Sequence, residues 1–218
     1  MEMASQYPQA QIFGADIRVP PEQPNFKNLK FLEMDIHQPW PLSDNSVDFV
    51  FQRNMGHFIQ KDQWPFVLRE MLRVLKPNGY IELVEPDLWH HNPGPVLQAF
   101  DQFFQNLCNT DLHIDYAFTE TLKDQVEAVG FVDIEQRTLD IPIGEWPQEP
   151  ELKQFGFINK ETQKALLKNR RQFYMTKWNL SSEDYDTAVV EVLEEFEEYR
   201  GFQRFNCWIA RKAPQNVS

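Results

Sequence analysis

Leu68–Glu85 reads L-R-E-M-L-R-V-L-K-P-N-G-Y-I-E-L-V-E. Its first half continues a stripe in which Trp64, Val67, Leu68, Met71 and Leu75 recur at helical spacing. That spacing predicts an amphipathic helix over Asp62–Lys76. Pro65 fits there because the first turn of a helix has N–H groups without intrahelical partners. Pro77-Asn78-Gly79 stops the helix and turns the chain. Tyr80–Glu85 then reads as a strand that must lie beside its helix.

Working upstream, Gln11–Ile17 and Asn28–Asp35 read as buried strands, each ending near an acid. Val47–Gln52 reads as a third strand, after the turn chemistry of Pro39–Ser46. Strand and helix signals alternate over the first 87 residues, which is the α/β pattern. In an open parallel sheet, ligands bind beyond the carboxyl ends of the strands. The residues there are Asp16, then Asp35 and Ile36, then Gln52 and Arg53, then Glu85 and Asp87. Asp16 suits a ribose, whose hydroxyls donate to a carboxylate. A loop acid capping its own turn explains it equally well. Asp35 is open in the same way, between an adenine amino group and a nearby backbone amide.

Downstream, Asn92–Cys108 places Val96, Leu97, Phe100, Phe103, Phe104 and Leu107 at helical spacing. Thr121 with Asp124 resembles a capping box opening a helix that Gly130 and Phe131 close. Phe131–Ile143 is strand-like, and Glu145–Trp178 is polar and helical. Ser181 with Asp184 opens a last helix with Tyr185, Val189, Val192, Leu193 and Phe196 inward. Its Glu191, Glu194, Glu195, Glu197 and Glu198 read as a solvated face. Phe205–Lys212 is the final strand.

The chain has 218 residues and 8 glycines, none adjacent. This is roughly half the usual share of about 7%. Neither G-x-x-x-x-G-K-[ST] nor G-x-G-x-x-G occurs, which excludes a Walker-type loop and a self-contained dinucleotide-binding loop. The net charge of −12 argues against a nucleic-acid partner. The one basic cluster, Lys164, Lys168, Arg170 and Arg171, reads as a solvated helix face. Cys108 and Cys207 suit free thiols in a reducing, cytoplasmic or nuclear setting. No apolar run approaches the roughly 18 residues of a membrane span, and Met1–Gln11 shows no secretory signal.

The ordered motifs carry a resemblance. I-F-G-A-D-I (Ile12–Ile17), F-L-E-M-D-I (Phe31–Ile36), P-L-S-D-N-S-V-D-F-V-F-Q-R (Pro41–Arg53) and Leu68–Glu85 resemble the class I S-adenosylmethionine-dependent methyltransferases. The Gln-Arg after the third strand, the Trp-Pro of the next helix and L-D-I-P-I-G-E-W-P (Leu139–Pro147) resemble the fungal branch. The resemblance covers about residues 4–145 and implies one Rossmann-like domain. The sheet would be mostly parallel with an antiparallel C-terminal strand, and a helical insertion would fall at about 145–182.

By position, the resemblance implies S-adenosylmethionine as cofactor. Asp16, with Ile17 beside it, would hold the ribose. Asp35 and Ile36 would read the adenine, and Gln52 and Arg53 would flank the methionine. The family begins with a central strand and a glycine-rich loop, whereas this chain starts M-E-M-A-S-Q-Y-P, which matches the end of the following helix. The expected sheet is therefore N-terminally incomplete. Its inner edges would re-pair directly, accept a strand from another chain or drive self-association, or the sequence is part of a longer protein.

Methyl transfer needs positioning more than a dedicated base. His57, Glu85, His90 and His91 could each serve as one, or be supporting polar residues. The Glu85-Pro-Asp87-x-x-His90-His91 spacing matches no metal pattern, and Trp89, Phe100 and Phe104 suit an acceptor pocket or a core. The alternative is a non-catalytic methyltransferase-like binding or regulatory module. A nicotinamide oxidoreductase fails on the missing glycine loop.

Overall fold

The computed structural model describes residues 2–22 and 25–215. Met1, the first residue of the chain start quoted above, lies outside them. The elements run α1 (Glu2–Gln6), β1 (Ile12–Asp16), β2 (Leu29–Glu33), β3 (Val47–Arg53), α2 (Trp64–Val74) and β4 (Leu75–Pro86). Then come α3 (Pro95–Leu107), a π-helical turn (Cys108–Leu112), α4 (Phe118–Ala128), β5 (Phe131–Pro142), α5 (Pro150–Trp178), α6 (Ser182–Glu198) and β6 (Phe202–Lys212).

The expected alternation is present, but β1 and β2, expected to be buried, are mostly half-buried or exposed, and two boundaries differ locally. β4 begins at Leu75, so Pro77–Gly79 lie within the strand. The turn expected there survives as an irregularity, where the β3 register shifts between Val47 and Phe49 and Asn78 adopts φ 64°. α4 starts at Phe118, three residues before Thr121. The Thr121 hydroxyl donates back to the Phe118 carbonyl (3.3 Å) and caps nothing. The other boundary signals act as expected. Gly130 ends α4 at φ +108°, and the Ser181 hydroxyl accepts from the Asp184 amide (3.1 Å).

The strands form two sheets. β1 and β2 pair in parallel. β3, β4, β6 and β5 follow in that order, with β3 parallel to β4 and β6 antiparallel to both of its neighbours. Within that second sheet β3, β4 and β5 share one direction and only the C-terminal strand opposes them. This is the Rossmann-like sheet expected, in two pieces. Among the described residues β1 and β3 each end a sheet and do not pair with one another, so direct re-pairing does not occur. Phe49 and Phe51 on β3 remain exposed, each 45% accessible.

The core explains why the second sheet holds together. Trp64, Val67, Leu68 and Met71 of α2 pack with Ile81 and Leu83 of β4, Trp208 and Ala210 of β6, and Phe118, Leu122 and Val126 of α4. Each such side chain contributes roughly 1.5–3 kcal/mol on burial. A second cluster joins Leu97 and Phe100 of α3 to Tyr174 of α5 and to Tyr185, Val192 and Phe196 of α6. The acidic face of α6 is not merely solvated. Buried Glu195 accepts from the Val96 and Leu97 amides (2.9 and 2.8 Å), supplying the N-cap of α3 from another helix. Glu197 accepts from the Glu145 amide and from Lys160 Nζ, each at 2.9 Å.

Candidate functional site

Within each sheet the parallel strands put their carboxyl ends on one edge. The backbone after β3 is shaped there by one buried acid. Glu85 is fully buried, and its carboxylate accepts from Gln52 Nε2 (3.1 Å), Met55 N–H (3.0 Å) and Gly56 N–H (2.9 Å). Burial raises its pKa, and the three hydrogen bonds oppose that rise. The loop that Glu85 holds turns at Asn54 (φ 58°) and runs on to His57. Gly56 is required in it, since a Cβ would stand 2.2 Å from the Phe118 ring.

Beside this loop lies a cavity of about 520 Å³. Phe58, Phe100, Phe104, Phe155, Ile158 and Leu166 give it apolar walls from α3, α5 and the loop after β3. This size and lining suit a small organic ligand. The polar groups include His57, His90, Asp101, Arg170 and Tyr174. Arg170 lies 5.9 Å from the Phe104 ring centroid, so the basic cluster of α5 is not wholly a solvated face. Arg171 pairs instead with Asp186 (2.9 Å).

The candidate bases separate here. Glu85 and His91 do not line the cavity. His91 Nε2 bonds Asp87 (2.8 Å) and its ring stacks on Phe202 at 4.7 Å. Asp87 also accepts from Thr119 Oγ1 (2.6 Å) and Asn206 Nδ2 (2.9 Å), so it ties β4, α4 and β6 together. His57 and His90 both reach the cavity, as do Trp89, Phe100 and Phe104. His57 packs near Phe104 (5.9 Å); burial first, then the charge of Arg170, lowers its pKa to about 4.

The residues expected to contact a cofactor fall into two groups. Asp16, Ile17, Asp35 and Ile36 lie together after β1 and β2, where the Met34 amide bonds the Asp16 carbonyl (2.8 Å). Gln52 and Arg53 end β3 in the other sheet, with Gln52 turned inward to Glu85. None of the six lines the cavity. Asp16 Oδ1 accepts from the Arg18 amide (2.9 Å). Asp35 Oδ1 accepts from the His37 amide (2.9 Å) and meets His37 Nδ1 at 3.1 Å. The amide bond is the larger cause of its lowered pKa.

A family model described as a methyltransferase domain matches residues 2–83, the stretch that carries β1 to β3, their carboxyl ends and most of β4. Over this stretch the chain is similar to the methyltransferase domain that the model describes. Methyltransferase cpsF of Aspergillus campestris is 29% identical over 142 residues, 61% of this chain and 48% of that protein. Protein-methionine methyltransferase laeA of Emericella nidulans is 28% identical over 158 residues, 68% of this chain and 41% of that protein. The chain spans about half the length of the curated relatives it matches.

The same methyltransferase fold appears in phosphoethanolamine N-methyltransferase 2 of Haemonchus contortus, solved in complex with S-adenosyl-L-methionine. The TM-score is 0.55 at 16% identity, covering 97% of this chain and 45% of that one. Among the described residues, no helix is long and apolar enough to cross a membrane.

Sequence reading missed Asp101 and Arg170 as residues of the cavity. A signal for Asp101 was there: it sits four residues after Leu97 and three before Phe104, a carboxylate within an apolar stripe. Arg170 sits in the same way between Leu167 and Tyr174.

Proposed function

We propose that the chain binds S-adenosylmethionine at the carboxyl ends of β1, β2 and β3. It methylates a small-molecule or protein acceptor held in the cavity between α3 and α5. When bound, the cofactor supplies a methyl group on a cationic sulfur, already activated toward an incoming lone pair. Asp16 accepts from the ribose hydroxyls, with exposed Ile17 beside it. Asp35 and Ile36 meet the adenine. Gln52 and Arg53 face the methionine part, with Gln52 held by Glu85.

The observation that carries this reading is His37. Its Nε2 is buried and has no hydrogen-bond partner among the described residues. Its Nδ1 lies 3.1 Å from the Asp35 carboxylate, which can only accept, so Nδ1 is the donor in that pair. A buried polar atom of this kind calls for a partner. Between exposed Asp16 and Asp35, a nucleoside's hydroxyl and amino donors fit. The helical segment at about 145–182 roofs the acceptor side as an insertion in the single domain. The unpaired edges of β1 and β3, beside exposed Phe49 and Phe51, provide a surface for self-association.

A non-catalytic binding or regulatory module is the second reading. It is favoured by the division of the sheet at the cofactor-facing edge, and by a relative named secondary metabolism regulator LAE1 in Cochliobolus heterostrophus. Calorimetric titration of S-adenosylmethionine into the chain separates the cases. Saturable binding is expected, and absence of heat contradicts the proposal. Binding without label transfer to any acceptor from a labelled methyl donor favours the module.

A further inference from the structure

The cavity holds two imidazoles of different character. His57 is kept neutral by burial and by Arg170, which makes it a weak proton acceptor. His90 is built differently. Its Nδ1 lies 2.8 Å from Asp101 Oδ1, and its backbone amide donates to Asp101 Oδ2 at 3.0 Å. One carboxylate therefore fixes both the ring and the backbone that carries it. A carboxylate only accepts, so Nδ1 is the donor in this pair, and in the neutral ring Nε2 keeps its lone pair. Among the described residues Nε2 makes no hydrogen bond. Both side chains are largely shielded, 20% and 13% accessible, so water competes weakly for the pair.

We propose that His90, oriented by Asp101, is the general base for an acceptor that carries an ionisable hydroxyl on a flat apolar ring system, a phenol or enol, bound in this cavity. The proposal rests on the methyl-transfer reading above. The aromatic lining from Phe58, Phe100, Phe104 and Phe155 suits a planar scaffold. Arg170 is the one Lys or Arg among the described residues lining the cavity, and it matches an oxyanion while repelling an ammonium. Asp87, the other carboxylate there, is already engaged by three donors.

In the step, the acceptor O–H proton passes to His90 Nε2, giving an imidazolium held by Asp101. The oxygen lone pair forms the new bond to the methyl carbon. The carbon–sulfur bonding pair remains on sulfur, and His90 returns its proton to solvent. Positioned bases of this type contribute about 10²–10⁴-fold in rate.

The test uses the full chain and 4-nitrophenol, whose phenolate absorbs visible light. The pH is held just below the midpoint of the free probe. The titratable groups lining the cavity with His90 are Asp101, Asp87, His57, Arg170 and Tyr174, and Tyr116 packs against Phe104 of the same lining. Both tyrosine hydroxyls are raised, chiefly by burial, and stay protonated. Saturable binding with a gain in phenolate absorbance is expected, and H90Q and D101N should each cut that gain at least fivefold. Binding with no gain, or a gain unchanged in both variants, overturns the proposal.

Nitrogen-detected spectra of the unsubstituted protein guard against misfolded variants. They should show His90 protonated at Nδ1, and an Nε2–H tautomer overturns the assignment. Calorimetry with S-adenosylhomocysteine is read separately. Heat without the phenolate gain overturns the base assignment alone. The gain without heat overturns the transfer reading and supports His90 as the proton acceptor of the cavity.

Discussion

The Glu85 carboxylate accepts a hydrogen bond from the Gly56 amide at 2.9 Å while fully buried at the end of β4. Its other bonds, to Met55 N–H and Gln52 Nε2, make it the fastening of the loop after β3. Glu85→Gln keeps the size but aims an amide donor at a backbone donor. Stability should fall by about 1–3 kcal/mol. The Met55 and Gly56 amides should exchange with solvent at least tenfold faster. Unchanged protection of both amides would remove Glu85 from this role.

Gly56→Ala tests the same loop from its other side. The added methyl would meet Phe118 Cζ at 2.2 Å, and Phe118 stacks on Trp64 at 5.3 Å in the main core. Overpacking of this kind costs about 1–3 kcal/mol. Thermal or urea unfolding should report that loss.

Glu195→Gln removes a carboxylate from the N-terminus of α3. Two amide bonds and the favourable end of the helix dipole are weakened together. The cost expected from capping substitutions is about 0.5–2 kcal/mol. Faster exchange at Val96 and Leu97 would locate the effect, and no change at either amide would count against a cap supplied by α6.

These residues also mark what the sequence made legible. α2 was readable because a single apolar stripe dictates it; β4 was readable from Tyr80 onward, but it begins at Leu75 and takes in the expected Pro-Asn-Gly stop. Gly130 and Ser181 were readable because their signals act locally. Glu195 and Arg170 looked solvated because charge on a helix face usually is. Their roles come from partners about a hundred residues away in one case and across a cavity in the other. Thr121 misled because its motif lies one turn inside a helix whose start is set by the burial of Phe118. The carboxyl-edge acids were readable as a set. The two-piece sheet reflects that β1 and β3 do not pair among the described residues, which only the structure shows.

Acid should unfold the protein partly through Glu70. Arg73 donates to both of its oxygens (2.7 and 2.8 Å), and the Trp40 amide adds a third bond (2.7 Å). Arg73 is the larger cause of its lowered pKa. A lowered folded value means the stabilisation is present above the ordinary carboxylate pKa of 4.5 and lost as pH falls through the folded value. Glu70→Gln should therefore lower the melting temperature near neutral pH and flatten its decline below about pH 4.5. Parallel curves for the two proteins would contradict this.

Asp16 at the end of β1 is the residue on which the cofactor reading most depends. Calorimetric titration of S-adenosylhomocysteine into the chain and its Asp16→Ala variant compares the two directly. Loss of a charged hydrogen-bond partner is worth about 1.5–3 kcal/mol, so affinity should fall at least tenfold. Equal affinity in the two proteins would contradict the placement of the ribose at β1.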